Sequence, residues 1–135
     1  MDFDGIISTV RKHHPQVEGI YVFGTFGTPV ERPDSDLDLA LLLSPEEARK
    51  ERALALRACR DDLEALTGRS VDLINLREAS TVFQNEIITE GTLIYLENEA
   101  KTDAFEMKVM SAYQKLNEER NGILEDIEST GRVLK

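Results

Sequence analysis

Two aspartates two positions apart, Asp36 and Asp38, stand in a run that otherwise reads as a buried strand (DLDLALLL, residues 36–43). Burying an unpaired carboxylate is costly, so charge inside such a run calls for a partner. Side chains at i and i+2 of a strand point to the same face, which makes the two carboxylates a pair. Upstream, the apolar stretch GIYVF (residues 19–23) runs into Gly24-Thr25, and ten residues (26–35) separate that dipeptide from Asp36. A glycine–hydroxyl turn offers backbone N–H groups and an oxygen to phosphates, and paired carboxylates hold divalent cations. This is the chemistry of a magnesium–nucleotide site. Asp72, inside a third apolar segment (SVDLINL, residues 70–76), is a candidate third carboxylate.

These residues need rigid elements. Apolar residues at Phe3, Ile6, Ile7 and Val10 predict a helix over 3–12, stopped by Pro15. Residues 19–23 and 37–43 read as strands, the second apolar on both faces apart from its aspartates, as in a sheet covered on both sides. Ser44, Pro45 and Glu47 form the sequence signature of a capped helix start, with Leu56, Cys59, Leu63 and Leu66 as its buried stripe and Gly68 just past its end. Residues 70–76 make a third strand. Residues 80–90 make a helix with Val82, Phe83, Ile87 and Ile88 inward, closed by Gly91, and residues 93–96 make a fourth strand.

From about Thr102 to Ser129 apolar residues recur at Phe105, Val109, Ala112, Leu116, Ile123 and Ile127. A helix of that length reaches roughly 40 Å, longer than a domain of this size needs. It either packs along the body and frays, with Gly122 able to break it, or projects as an arm that docks a partner. The expected fold is therefore α/β, a small mixed sheet of about four strands flanked by helices, with a long C-terminal helix. Residues 1–97 form the core domain and 98–135 a helical extension on it.

The chain has 135 residues, 41% hydrophobic and 31% charged, enough for one core. A formal net charge of −10 opposes a nucleic-acid backbone as the main partner. No apolar run approaches a membrane span, and the N-terminus has no basic segment leading into a cleavable apolar core. The single Cys59 reads as a buried thiol, and the whole predicts a cytoplasmic protein. His13 and His14 end the first helix, without metal-ligand spacing to a second cluster.

Gly24-Thr25, residues 26–35 and Asp36-Leu37-Asp38, with SDLDLAL (35–41) and VDLINL (71–76), resemble the minimal nucleotidyltransferases of the DNA polymerase β superfamily, whose signature is Gly-Ser, ten residues and Asp-x-Asp. The resemblance covers most of residues 1–97. Size and the long final helix are similar to the MNT antitoxins of HEPN/MNT toxin–antitoxin pairs. That resemblance implies a nucleotidyltransferase fold and transfer of AMP from ATP to a tyrosine of a separate HEPN ribonuclease toxin, with which the chain forms a hetero-oligomer. It also implies Asp36, Asp38 and Asp72 as catalytic Mg²⁺ ligands and Gly24 and Thr25 as nucleotide contacts.

The chain departs from the family in two places. Thr25 replaces serine, putting a methyl group where a triphosphate must pass, and Phe26, Gly27 and Thr28 stand where many relatives have an arginine. Two alternatives stay open: an antitoxin acting by binding alone, and a nucleotidyltransferase for a small molecule such as an aminoglycoside. Bland readings stay open too: Asp36 as a turn residue after Pro33-Asp34-Ser35, Asp72 as a solvated edge residue, Arg32 as a loop cation and Tyr113 as a packing aromatic.

Overall fold

The computed structural model describes residues 3–24, 36–50 and 53–130. Strands β1 (Gly19–Phe23), β2 (Leu37–Leu42), β3 (Val71–Asn75) and β4 (Thr92–Leu96) form one mixed sheet in the order β3-β2-β1-β4. β2 runs antiparallel to β1 and parallel to β3, while β4 pairs antiparallel with β1, with a register shift between Ile20 and Tyr21. The helices are α1 (Asp4–His13), α2 (Pro45–Lys50), α3 (Ala53–Thr67), α4 (Thr81–Glu90) and α5 (Glu99–Thr130), with a 3₁₀ turn at Leu76–Glu78. The α/β architecture, the four strands and the long last helix match expectation. The helix expected after Ser44 is described as α2 and α3, on either side of residues 51–52, which lie outside the described residues.

Alternation along β2 explains the layering. Leu37, Leu39 and Leu41 point to one side and pack with Ile6 and Val10 of α1 and Cys59 and Leu63 of α3. Ala40 and Leu42 point to the other, with Tyr21, Ile87 of α4 and Phe105 and Val109 of α5. Every one of these residues is buried. Fully burying one such leucine contributes about 1.5–3 kcal/mol, so the central strand is the most firmly held part of the molecule and the natural place to mount a site.

Two predicted inward residues lie outside the core. Leu66 and Val82 are exposed, and the buried positions of their helices are Cys59 and Leu63 in α3 and Ile87 in α4. Leu66 sits in the last turn of α3, where its side chain lies over Gly5 of α1; Val82 sits in the first turn of α4, whose contact with the sheet is centred one to two turns later.

Helix ends follow the local sequence. Ser44 Oγ accepts from the Glu47 N–H at 3.3 Å and Pro45 occupies the first helical position of α2. Glu47 does not complete the reciprocal box, because its carboxylate meets His14 Nδ1 at 2.8 Å instead. Gly68, with φ +69°, closes α3 in the left-handed conformation that glycine adopts without penalty. Ser80 caps α4, its Oγ accepting from the Phe83 N–H at 3.2 Å. Ser80→Ala is expected to cost about 1 kcal/mol of stability, read from the midpoint of urea unfolding with an unchanged slope.

α5 is one helix of 32 residues, about 48 Å long at 1.5 Å per residue, and runs unbroken through Gly122. Thr102, Phe105 and Val109 are buried against the body; Tyr113 and Leu116 are half-buried, and Ala112 and residues 118–122 are exposed. Contact with the body is thus concentrated in residues 102–116, and residues 118–122 stand exposed beyond it. Among the described residues no helix is long and apolar enough to cross a membrane.

Candidate active site

β1 ends where β2 and β3 begin, so three strand termini meet at one end of the sheet. Register then lines up side chains across them: Phe23 of β1 opposite Asp38 of β2, and Asp38 opposite Asp72 of β3. Leu37 and Leu39 are committed to the α1–α3 core, so strand parity sends Asp36 and Asp38 to the other face, the one that α4 and α5 cover farther along. The Leu37 N–H donates to Ser70 O at 2.8 Å, which locks the β2–β3 register at this mouth. The sequence thus delivers three carboxylates to one corner by alternation and pairing alone.

The three differ in environment. Asp38 is half-buried, whereas Asp36 and Asp72 are exposed. Burial lifts the Asp38 carboxyl above the ordinary carboxylate range, and the negative charges of Asp72 and then Asp36 push it further the same way. Of the two settings open for Asp72, among apolar side chains or solvated at an edge, the structure shows the second: β3 is the edge strand and Asp72 stands exposed near its start. Its pairing with Asp38 holds.

Gly24 follows β1 with φ +75°, a backbone conformation costly for any residue with a Cβ. A Cβ built there would overlap Asp38 Oδ2. The turn backbone therefore rests directly against the site carboxylate, and only glycine fits on both counts. Gly24→Ala is expected to lose about 1–2 kcal/mol of stability from the dihedral alone, and transfer activity falls with it as Asp38 is displaced. Thermal unfolding and a turnover assay on one preparation check both. Thr25, the spacer and Arg32 lie outside the described residues.

The donor set is all carboxylate, which suits a hard divalent cation such as Mg²⁺ over the nitrogen- and sulfur-seeking metals. Two observations bear on that fit. The mutual repulsion that raises Asp38 is what a bound cation would relieve. Against it, among the described residues no three carboxylate, imidazole or thiol groups close on a common point. The backbone register sets Asp38 opposite Asp72. The histidines are engaged elsewhere, His13 Nε2 with Asp62 at 2.6 Å and His14 Nδ1 with Glu47.

Two features beside the site are not legible from the sequence. Phe23 packs edge-on against Phe83 of α4, with ring centroids 5.7 Å apart and planes at 85°, walling the corner next to Asp38. Tyr21, two residues earlier on the same face, donates its hydroxyl to Glu106 Oε2 at 2.6 Å and so ties β1 to α5. Burial, and then that hydrogen bond, hold the Tyr21 phenol far above its usual range, so it stays a donor. Periodicity marks each of these residues as inward; only the packing of α4 and α5 says what they meet.

Comparison with known proteins agrees with this geometry. The pattern of the family described as polymerase beta, nucleotidyltransferase, matches residues 5–100. Over 125 residues the chain is 32% identical to the protein adenylyltransferase MntA of Shewanella oneidensis, covering 90% of this chain and 84% of that one. A toxin–antitoxin crystal structure with AMP-PNP superposes with a TM-score of 0.79 at 28% identity, over 95% of this chain and 99% of the other. A structure of a tri-AMPylated Shewanella oneidensis HEPN toxin with its MNT antitoxin superposes with a TM-score of 0.72 at 28% identity, over 93% and 94% of the two chains.

Proposed function

Because the chain belongs to the polymerase β nucleotidyltransferase family, we propose that it is an antitoxin that transfers AMP from ATP to a tyrosine of a partner HEPN ribonuclease and so neutralises it. The observation that carries this reading is the alignment of Asp38 with Asp72 across β2 and β3, with Asp36 on the same face and the Gly24 turn against Asp38. The adenylyltransferase relative and the structures of AMPylated toxin with antitoxin and of toxin–antitoxin with AMP-PNP support the substrate and the partner.

In this reading Asp36, Asp38 and Asp72 would hold Mg²⁺. Two such ions, when bound, offset the charge that builds on the α-phosphoryl oxygens and on the departing pyrophosphate. The Gly24 backbone approaches the phosphates where a side chain would block it, and Thr25 offers its hydroxyl beside it. The tyrosine oxygen forms a bond to the α-phosphorus as the bond from that phosphorus to pyrophosphate breaks. Asp72, the exposed member of the facing pair, accepts the phenolic proton. Residues 98–135 form the partner-binding extension on the 1–97 core, a division supported by the length of α5 beyond its buried first turns and by the exposed Met107 and Met110.

Intact-mass spectrometry of the co-purified toxin after incubation with ATP and Mg²⁺ tests the proposal. Increments of whole AMP units establish it. A tight complex without added mass makes the chain a binding antitoxin, and the absence of both complex and adduct points to a small-molecule acceptor.

A further inference from the structure

At the other end of the sheet, one strand length from the aspartates, α2, the 3₁₀ turn, the start of α4 and the middle of α5 enclose a groove of about 460 Å³. Its floor is apolar, built from Ala48, Phe105 and Val109; Arg49 of α2 and Lys108 of α5 line it, as does Glu78, and Lys101, paired with Glu97 at 3.7 Å, lines the adjoining recess. Arg77 also lines it but is committed, its Nη2 donating to Glu18 and its guanidinium lying over Phe105. Arg49 and Lys108 are exposed and form no ion pair among the described residues.

On a chain of net charge −10, Arg49 and Lys108 bring two exposed cations from different helices, one of them beside Glu46, to the rim of one concave apolar floor. The volume lies within the range of small-molecule sites, which combine an apolar lining with a few convergent charges. A protein contact would need a broader and flatter surface. We infer that this groove is a second ligand site, for a phosphate-bearing small molecule of about mononucleotide size, held by Arg49 and Lys108 over the Phe105 floor. It lies at the opposite end of the sheet from the carboxylates, on the stretch of α5 that the proposed function gives to the partner, and it does not depend on the transfer reaction.

The test is a titration of the ¹⁵N-labelled chain with pyrophosphate and with AMP, without Mg²⁺ and at fixed physiological salt, followed by amide chemical shifts. Saturable shifts in residues 45–50, 77–84 and 104–112 are expected. Arg49→Gln with Lys108→Gln should weaken them about tenfold or more, because both charge contacts are lost. Asp36→Asn with Asp38→Asn should leave them unchanged. The inference is overturned if the shifts are confined to Gly24 and the β2 and β3 starts, or if the glutamine variant binds as tightly as the parent. Saturation by a glutamate-rich peptide but by neither phosphate compound also overturns it, in favour of an acidic protein contact. Both substitutions are on exposed side chains, and an unchanged melting temperature shows that lost binding is not lost folding.

Discussion

Asp38→Asn is expected to lower AMP transfer by about 10³-fold or more while leaving the chain folded and at least as stable as the parent. On the proposed function the loss follows from removing a charge that would hold Mg²⁺ at the centre of the carboxylate row, an interaction worth several kcal/mol in the transition state, where each 1.36 kcal/mol is tenfold in rate. The stability gain follows from the same geometry. Asp38 is half-buried opposite Asp72 and two residues from Asp36, and its carboxyl is raised by burial first and then by those two charges. The folded state therefore holds the Asp38 proton more tightly than the unfolded chain does, and ionising it above the raised folded-state pKa costs stability. That cost vanishes as pH falls below the ordinary carboxylate pKa of 3.8. Asparagine keeps the shape and removes the charge, so at pH 7 the variant should melt higher, and its advantage should shrink as pH is lowered through the range in which Asp38 takes up its proton. Mg²⁺ should raise the melting temperature of the parent and much less that of the variant, by preferential binding to the folded state. Calorimetric melts at several pH values, with and without Mg²⁺, beside the toxin mass assay, read all of this. A variant that melts lower at every pH would show that the site is not strained by like charge.

Local rules in the sequence carry as far as the carboxylate row. The i, i+2 spacing placed Asp36 and Asp38 on one face, and the full burial of Leu37, Leu39 and Leu41 opposite them confirms the parity. Ser44, Gly68 and Gly91 mark helix ends because a cap is chosen by the residues within one turn of it. What stayed hidden depends on packing between distant segments. Asp72 is on the correct strand, but the sequence leaves two settings open for it, among apolar side chains or solvated at an edge, and the choice depends on β3 being the edge, which is decided by the sheet order. Val82 and Leu66 have the periodicity of core residues and are exposed because their helices touch the body over only part of their length. The Tyr21–Glu106 bond joins residues 85 positions apart, and periodicity has no means of pairing them. Glu47 shows local and tertiary forces in competition: its spacing suits a capping box, and the buried His14 takes the carboxylate instead.

The second large effect lies at the opposite end of the sheet. Glu18, just before β1, is almost fully buried, and its carboxylate accepts from Arg77 Nη2 at 2.7 Å. The same guanidinium donates through Nε to Leu43 O, just past β2, and lies 5.2 Å from the Phe105 ring centroid. One side chain thus joins the start of β1, the end of β2, the turn after β3 and α5. Arg77→Ala should cost about 3–5 kcal/mol, mostly because it strands a buried carboxylate and a carbonyl without their donor, and that is a large share of a typical total of about 5–15 kcal/mol. Arg77→Lys should recover only part of it, since a single ammonium cannot reproduce the fork that spans Glu18 and Leu43. If the penalty is one of an uncompensated charge, Glu18→Gln on the Arg77→Ala background should restore stability, and the cycle of single and double variants in urea should show a double variant less destabilised than the sum of the two single penalties. Strict additivity would mean that Arg77 acts by packing on Phe105 and not by neutralising Glu18, and the junction would then be apolar in its energetics despite its charges.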